Sequence, residues 1–145
     1  MQLMTWRGDF SWSKEFEPHQ VIQLHCFSGS RAIVREWQHQ FPNCYFSYSG
    51  LIRTFSPEQN QALKSVPEGR LLVETDSPYL RFQSGAGPNL PIYIWQTVEH
   101  NAEVRGTTVG RIADATWKNA RIFFQPKTDM VRERIHKYPA LPSTG

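Results

Sequence analysis

Val21-Ile22-Gln23-Leu24-His25-Cys26-Phe27-Ser28-Gly29-Ser30 is the stretch on which the fold turns. Its first seven residues are a short, largely apolar run of the kind expected for a strand buried on both faces. Ser28-Gly29-Ser30 breaks the run and offers hydroxyls to cap a helix, in which Ile33, Trp37 and Phe41 recur at helical spacing until Pro42-Asn43. Residues 44–49 follow as a second strand, rich in aromatics and stopped by Gly50. Ser56-Pro57-Glu58-Gln59 predicts a capping box, with Ser56 as N-cap, Pro57 at the first helical position and Gln59 reaching back. Ala62, Leu63 and Val66 supply that helix's apolar face, and Pro67 and Gly69 end it. Residues 70–74 make a third strand whose burial rests on Leu71-Leu72-Val73. Strand, helix, strand, helix, strand at this spacing predicts adjacent parallel strands with crossover helices packed on one face.

Beyond this unit, residues 75–91 read as a loop. A helix with Ile92, Trp95, Val98 and Ala102 on one side follows, and a last helix begins at Thr107 or Thr108 and runs through Ile112 and Ala115 to about Phe124. Residues 1–19 hold Trp6, Phe10, Trp12 and Phe16 without a clear period and receive no assignment. Residues 126–145 mix charge with Pro126, Pro139 and Pro142 and read as a mobile tail. The expected organisation is therefore an unassigned segment 1–19, an α/β unit over 20–125 and a tail over 126–145.

Composition bounds the function. With 39% apolar and 20% charged residues, the chain has the make-up of a soluble globular protein rather than a disordered one. Its 145 residues can bury one core, but fall well short of the roughly 250 of a complete β/α barrel. No apolar run approaches the roughly 20 residues needed to span a bilayer. Residues 1–7 lack the apolar centre of a secretory signal, so the expected location is cytoplasmic or nuclear. The formal charge of +3 is mild and scattered, which permits an anionic substrate without arguing for one. Cys26 and Cys44 form no CxxC pair, and on consecutive parallel strands they fall at opposite ends of the sheet, out of reach of a disulfide.

His25 and Asp76 stand where parallel α/β folds place their chemistry, beyond the C-terminal ends of strands. Alone, either could simply cap a strand. In matching positions, an imidazole and a carboxylate facing one mouth form a pair suited to a divalent metal. Glu74 reads either as a catalytic acid or as a strand-end group bonded to a neighbouring backbone. Cys26 reads as a small hydrophobe, Tyr45 and Tyr48 as strand residues, and Trp37, Trp95 and Trp117 as packing residues rather than base-stacking platforms. Arg53 and Arg81 are candidates for phosphate contact, weighed against a solvated role.

Two ordered motifs add to this reading. His25-Cys26-Phe27-Ser28-Gly29-Ser30 and Leu71-Leu72-Val73-Glu74-Thr75-Asp76-Ser77-Pro78-Tyr79-Leu80 resemble the two signatures of the TatD family of metal-dependent deoxyribonucleases. The similarity continues through Phe41-Pro42-Asn43, Ala115-Thr116, Asn119-Ala120 and Phe123-Phe124. The resemblance implies a partial TIM-type barrel, with these three strands as the sixth, seventh and eighth. It also implies one or two divalent ions (Mg²⁺, Mn²⁺ or Zn²⁺) that polarise a phosphodiester, DNA as substrate, His25 and Asp76 as metal ligands, and Asp76 as the catalytic residue orienting the attacking water.

The sequence departs from the family in two places. Residues 1–19 offer His19, Asp9, Glu15 and Glu17 but no match to the family's upstream His-x-His pair, bridging Glu and further His, so His25 and Asp76 are two ligands of a set of about six and too few for tight binding. In Gly87-Pro88-Asn89-Leu90-Pro91, Leu90 replaces the family's acid and removes support around the metal. Three functions compete. The first is a TatD-like hydrolase, weak or inactive as this chain alone. The second is a non-catalytic module that pairs with another chain through an open barrel edge at Val21, and the third is a hydrolase of small amides or esters.

Overall fold

The computed structural model describes residues 2–5, 16–80 and 87–125. Its elements are strands β1 (Gln2–Thr5), β2 (Ile22–His25), β3 (Cys44–Tyr48) and β4 (Leu71–Val73), and helices α1 (Arg31–Gln40), α2 (Pro57–Ser65), α3 (Ile94–Arg105) and α4 (Val109–Phe123). All strand pairs are parallel and the order is β1-β2-β3-β4. The three expected strands are adjacent, with Leu24 opposite Phe46 and Phe46 opposite Leu71.

The fourth strand is the main departure from what the sequence predicts. β1 arises in the segment whose pattern supports no assignment, and it pairs with β2 from Gln2↔Ile22 to Thr5↔His25. The edge expected at Val21 is therefore paired with the chain's own N-terminal strand, and β1 becomes the terminal strand on that side of the sheet. Hydrophobic periodicity could not reveal a four-residue strand with two polar members.

Alternation along the strands divides the sheet into two faces. Ile22, Leu24, Cys44, Phe46, Tyr48 and Leu71 join Val34 and Trp37 of α1, Ala62 and Leu63 of α2, Val98 and Ala102 of α3 and Ile112 of α4 in one core. Tyr45 and Leu72, from the intervening positions, pack with Phe123 of α4. Helices α1 to α3 thus serve the first face, while α4 contributes to both. Aromatic contacts knit the first core: Phe27 meets Phe46 edge-on at 5.0 Å between centroids, and Trp37 lies 5.2 Å from Phe41 and 6.2 Å from Phe16.

Helix ends follow the sequence signals. Ser30 caps α1, Thr108 caps α4, and the capping box of α2 is complete, Ser56 N–H donating to Gln59 Oε1 at 2.9 Å and Gln59 N–H to Ser56 Oγ at 3.3 Å. At the other end of α2 the Arg105 guanidinium donates to the Leu63 and Val66 carbonyls at 2.6 and 3.0 Å, satisfying acceptors that the helix terminus leaves open. At the N-terminal ends of the strands, Arg70 donates to the Pro42 carbonyl at 2.8 Å and to Tyr45 Oη at 3.1 Å, and lies 5.0 Å above the Tyr45 ring. Asn119 of α4 donates to the Glu68 and Leu71 carbonyls at 2.7 and 2.8 Å. These clamps occupy the end of the sheet away from the candidate site, the end that stabilises rather than reacts in parallel barrels.

Other expectations need correction. Ile92 is 70% exposed because it lies in a 3-10 turn, Pro91–Tyr93, before α3 begins. Trp95 is 54% exposed, since the buried arc of α3 runs through Thr97, Val98, Asn101 and Ala102 and misses it. Trp117 is 65% exposed, so only Trp37 of the three tryptophans is a core residue. Among the described residues, no helix is long and apolar enough to cross a membrane. The tail 126–145, expected to be mobile, lies outside the described residues.

These burials set different costs. Trp37→Ala is expected to lower the unfolding free energy by about 3–5 kcal/mol. Trp117→Ala, on the solvated side of α4, should change it by less than about 0.5 kcal/mol. Urea denaturation followed by far-UV circular dichroism compares the two.

Candidate metal centre

His25 is the last residue of β2, Ser47 lies near the end of β3, Glu74 follows directly on β4 and Asp76 stands two residues further on. All belong to the C-terminal mouth of the sheet. The two residues singled out from the sequence meet there: His25 Nε2 lies 2.8 Å from Asp76 Oδ1. It also lies 3.3 Å from Glu74 Oε2.

Glu74 is the hub. Its Oε1 accepts the Cys26 backbone N–H at 2.6 Å, while Oε2 accepts Ser47 Oγ–H at 2.5 Å and Gln23 Nε2–H at 3.4 Å. Of the two sequence readings of Glu74, the backbone-bonded one describes these contacts. Burial pushes its carboxyl above the ordinary range, and the Ser47 bond, the His25 imidazole and the Cys26 N–H act in the opposite sense.

Cys26 corrects an expectation. Strand alternation would send its side chain to the core face, the opposite side from His25. Instead Cys26 has φ 53°, a left-handed conformation that breaks the alternation, and its Sγ donates to Asp76 Oδ2. It is not packed as a small hydrophobe. Burial, the bond to Asp76 and the Glu74 charge all push its thiol up. Asp76 has a matching left-handed φ of 54°. Strained φ values on non-glycine residues concentrate where surrounding contacts over-determine the backbone, as they do here. Cys44, by contrast, is buried in the core, and both cysteines are free thiols.

Asn89 holds the loop that carries Asp76. The buried amide donates to the Thr75 carbonyl and, at 2.6 Å, to the Tyr79 carbonyl. Its backbone N–H donates to the Pro78 carbonyl at 3.0 Å, and its own carbonyl accepts Ser77 Oγ–H at 3.1 Å. Leu90, where the family carries an acid, is 45% exposed and offers no donor atom. Arg53 is an exposed residue of the 3-10 turn Gly50–Thr54 after β3, and Arg81 lies outside the described residues.

The donor chemistry fits a divalent ion. One potential ligand atom from each of His25, Cys26, Glu74 and Asp76 lies within 4.8 Å of every other. The neighbourhood therefore offers four donor groups among the described residues, twice the pair anticipated from the sequence.

A parallel α/β sheet with such a cluster at its C-terminal mouth has the layout of a barrel-type hydrolase fold with a candidate metal site. Residues 9–125 match the family model described as TatD related DNase, and the chain belongs to that family. It is 35% identical over 105 residues to the metal-dependent hydrolase YabD of Bacillus subtilis, an overlap of 70% of this chain and 40% of YabD. It is 30% identical over 108 residues to the 3'-5' ssDNA/RNA exonuclease TatD of Erwinia tasmaniensis, covering 70% of this chain and 41% of that protein. Among solved structures, an amidohydrolase from Saccharomyces cerevisiae superposes with a TM-score of 0.65 at 20% identity, over 75% of this chain and 41% of that one, which supports the fold. The chain spans about two-fifths of the length of the curated relatives it matches.

Asn89→Ala should free the Asp76 loop. Losing the amide while leaving the Thr75 and Tyr79 carbonyls unpaired is expected to cost about 1–3 kcal/mol. Urea unfolding measures the loss, and a midpoint unchanged from the parent chain would show that Asn89 does not hold the loop.

Proposed function

We propose that this chain is the C-terminal part of a divalent-metal-dependent hydrolase that cleaves phosphodiester bonds of nucleic acid, DNA first among them. The observation that carries this reading is the 2.8 Å contact between His25 Nε2 and Asp76 Oδ1 at the C-terminal ends of β2 and β4. An imidazole and a carboxylate so close form a natural pair of metal ligands. The relatives named as metal-dependent hydrolase and as ssDNA/RNA exonuclease support both the metal and the substrate class.

In this reading His25 and Asp76 hold the ion, Mg²⁺, Mn²⁺ or Zn²⁺. Once bound, such an ion supplies Lewis acidity toward a phosphoryl oxygen. Asp76 has a second role, to orient the attacking water and accept its proton as the new P–O bond forms and the alcohol leaves. Glu74 fixes the backbone that follows His25 through the Cys26 N–H, and the Asn89 strap fixes Asp76 relative to the strands. Preorganised ligands of this kind are what positions a phosphate for in-line attack.

The chain alone is expected to cleave weakly, because the matched region covers only 40% of a relative such as YabD, and catalytic power rests on the complete arrangement of donors. A protein extended to include the family's upstream ligands should cleave robustly. On Asp76→Ala its kcat should fall at least about a hundredfold, with KM little changed. The check is cleavage of a labelled single-stranded oligonucleotide with Mg²⁺ or Mn²⁺. An extended protein indifferent to Asp76→Ala would refute the role of that residue, and robust cleavage by the short chain would refute the dependence on upstream ligands.

A further inference from the structure

We propose that Cys26 is a third protein ligand of this centre, joining His25 and Asp76 around a single ion and giving the site a preference for a thiophilic cation such as Zn²⁺ over Mg²⁺. The inference rests on the metal-centre reading above and specifies the ion that the centre takes.

The geometry supplies three unlike donors to one point. Asp76 presents Oδ1 to His25 Nε2 at 2.8 Å and Oδ2 to Cys26 Sγ, so a single carboxylate touches both other groups. With bond lengths of about 2.0–2.3 Å, ligand atoms around a tetrahedral zinc lie about 3–4 Å apart. The donor atoms here all lie within 4.8 Å of one another, close enough for small side-chain shifts to bring them onto one ion. Three protein ligands with one position left for solvent or substrate is the pattern of catalytic zinc. Magnesium, in contrast, takes oxygen donors in an octahedron and has little use for sulfur.

Glu74 is assigned a different part. Its Oε1 is held by the Cys26 N–H and its Oε2 by Ser47, so both oxygens are engaged. It acts as a positioning residue: the 2.6 Å bond to the Cys26 N–H stabilises the left-handed turn that brings Sγ to the side of His25. On metal binding the Sγ–H···Oδ2 bond is replaced by an Sγ–metal bond, and the thiol proton passes to solvent.

Cobalt reports the ligand directly, because a thiolate bound to Co²⁺ gives a charge-transfer band in the near ultraviolet that nitrogen and oxygen ligands do not give. The full 145-residue chain titrated with Co²⁺ should develop this band at one equivalent. The band should persist in Cys44→Ala and vanish in Cys26→Ser, whose Zn²⁺ affinity should fall at least about tenfold. A second measurement needs no variant: Zn²⁺ should protect Cys26 of the parent chain from alkylation, mapped by mass spectrometry.

A cobalt complex without the band, a band that survives Cys26→Ser, or equal labelling with and without Zn²⁺ overturns Cys26 ligation and leaves the nuclease reading standing. An intact band in an extended protein that fails to cleave nucleic acid supports Cys26 ligation and overturns the nuclease reading instead. Failure of the 145-residue chain to bind Co²⁺ at all overturns Cys26 ligation, and the nuclease reading then stands or falls on cleavage by the extended protein.

Discussion

The Glu74 carboxylate is the interaction on which the mouth of this sheet depends. It follows β4, takes the backbone N–H of the residue after β2, and takes the hydroxyl of Ser47 on β3. One side chain thereby ties the ends of three neighbouring strands. A left-handed backbone at a non-glycine residue costs on the order of 1–2 kcal/mol, and the 2.6 Å bond to the Cys26 N–H offsets that cost. Without it, Cys26 would relax toward extended geometry and its side chain would return to the core face. The burial that raises the Glu74 carboxyl is thus the counterpart of its structural role, because a group surrounded by three strand ends has little water to share.

Much of the architecture was legible because its signals are local. The strands announced themselves as apolar runs ended by serine and glycine, and the helices by Ser30, Ser56 and Thr108 as caps. The pairing of His25 with Asp76 was legible from their equivalent places after parallel strands. What escaped depends on contacts between distant residues or on backbone torsions. β1 is a strand through its pairing with β2, not through its own pattern. Trp95 and Trp117 carry helical spacing but point outward, since spacing alone does not say which arc meets the sheet. The place of Cys26 in the centre could not be read from alternation, because φ 53° overrides it. Ser47 did leave a trace, as a hydroxyl among the aromatics of the Cys-Tyr-Phe-Ser-Tyr strand, where a small donor beneath a carboxylate has a reason to exist.

The two ends of the sheet solve different problems with similar materials. At the N-terminal end, Arg70 and Asn119 donate to backbone carbonyls and to Tyr45, which binds loops and helix α4 to the strands. At the C-terminal end the carboxylates are acceptors and the backbone N–H is the donor. A guanidinium and a neutral amide thus donate at one end, while anionic acceptors gather at the other, where a cation would be welcome. This polarity follows from the side chains and needs no net charge of the whole chain to support it.

The two-faced sheet also constrains how this chain can change in length. Core and centre are drawn from alternate positions of the same short strands: Leu24 lies in the core while its neighbours Gln23 and His25 face Glu74. Inserting or deleting one residue within β2 or β3 would exchange the two sets at a stroke, sending imidazole or hydroxyl into hydrocarbon and leucine or phenylalanine into the mouth. Length variation in descendants of this sequence is therefore confined to the connections, and the strands can drift only by substitution at constant length.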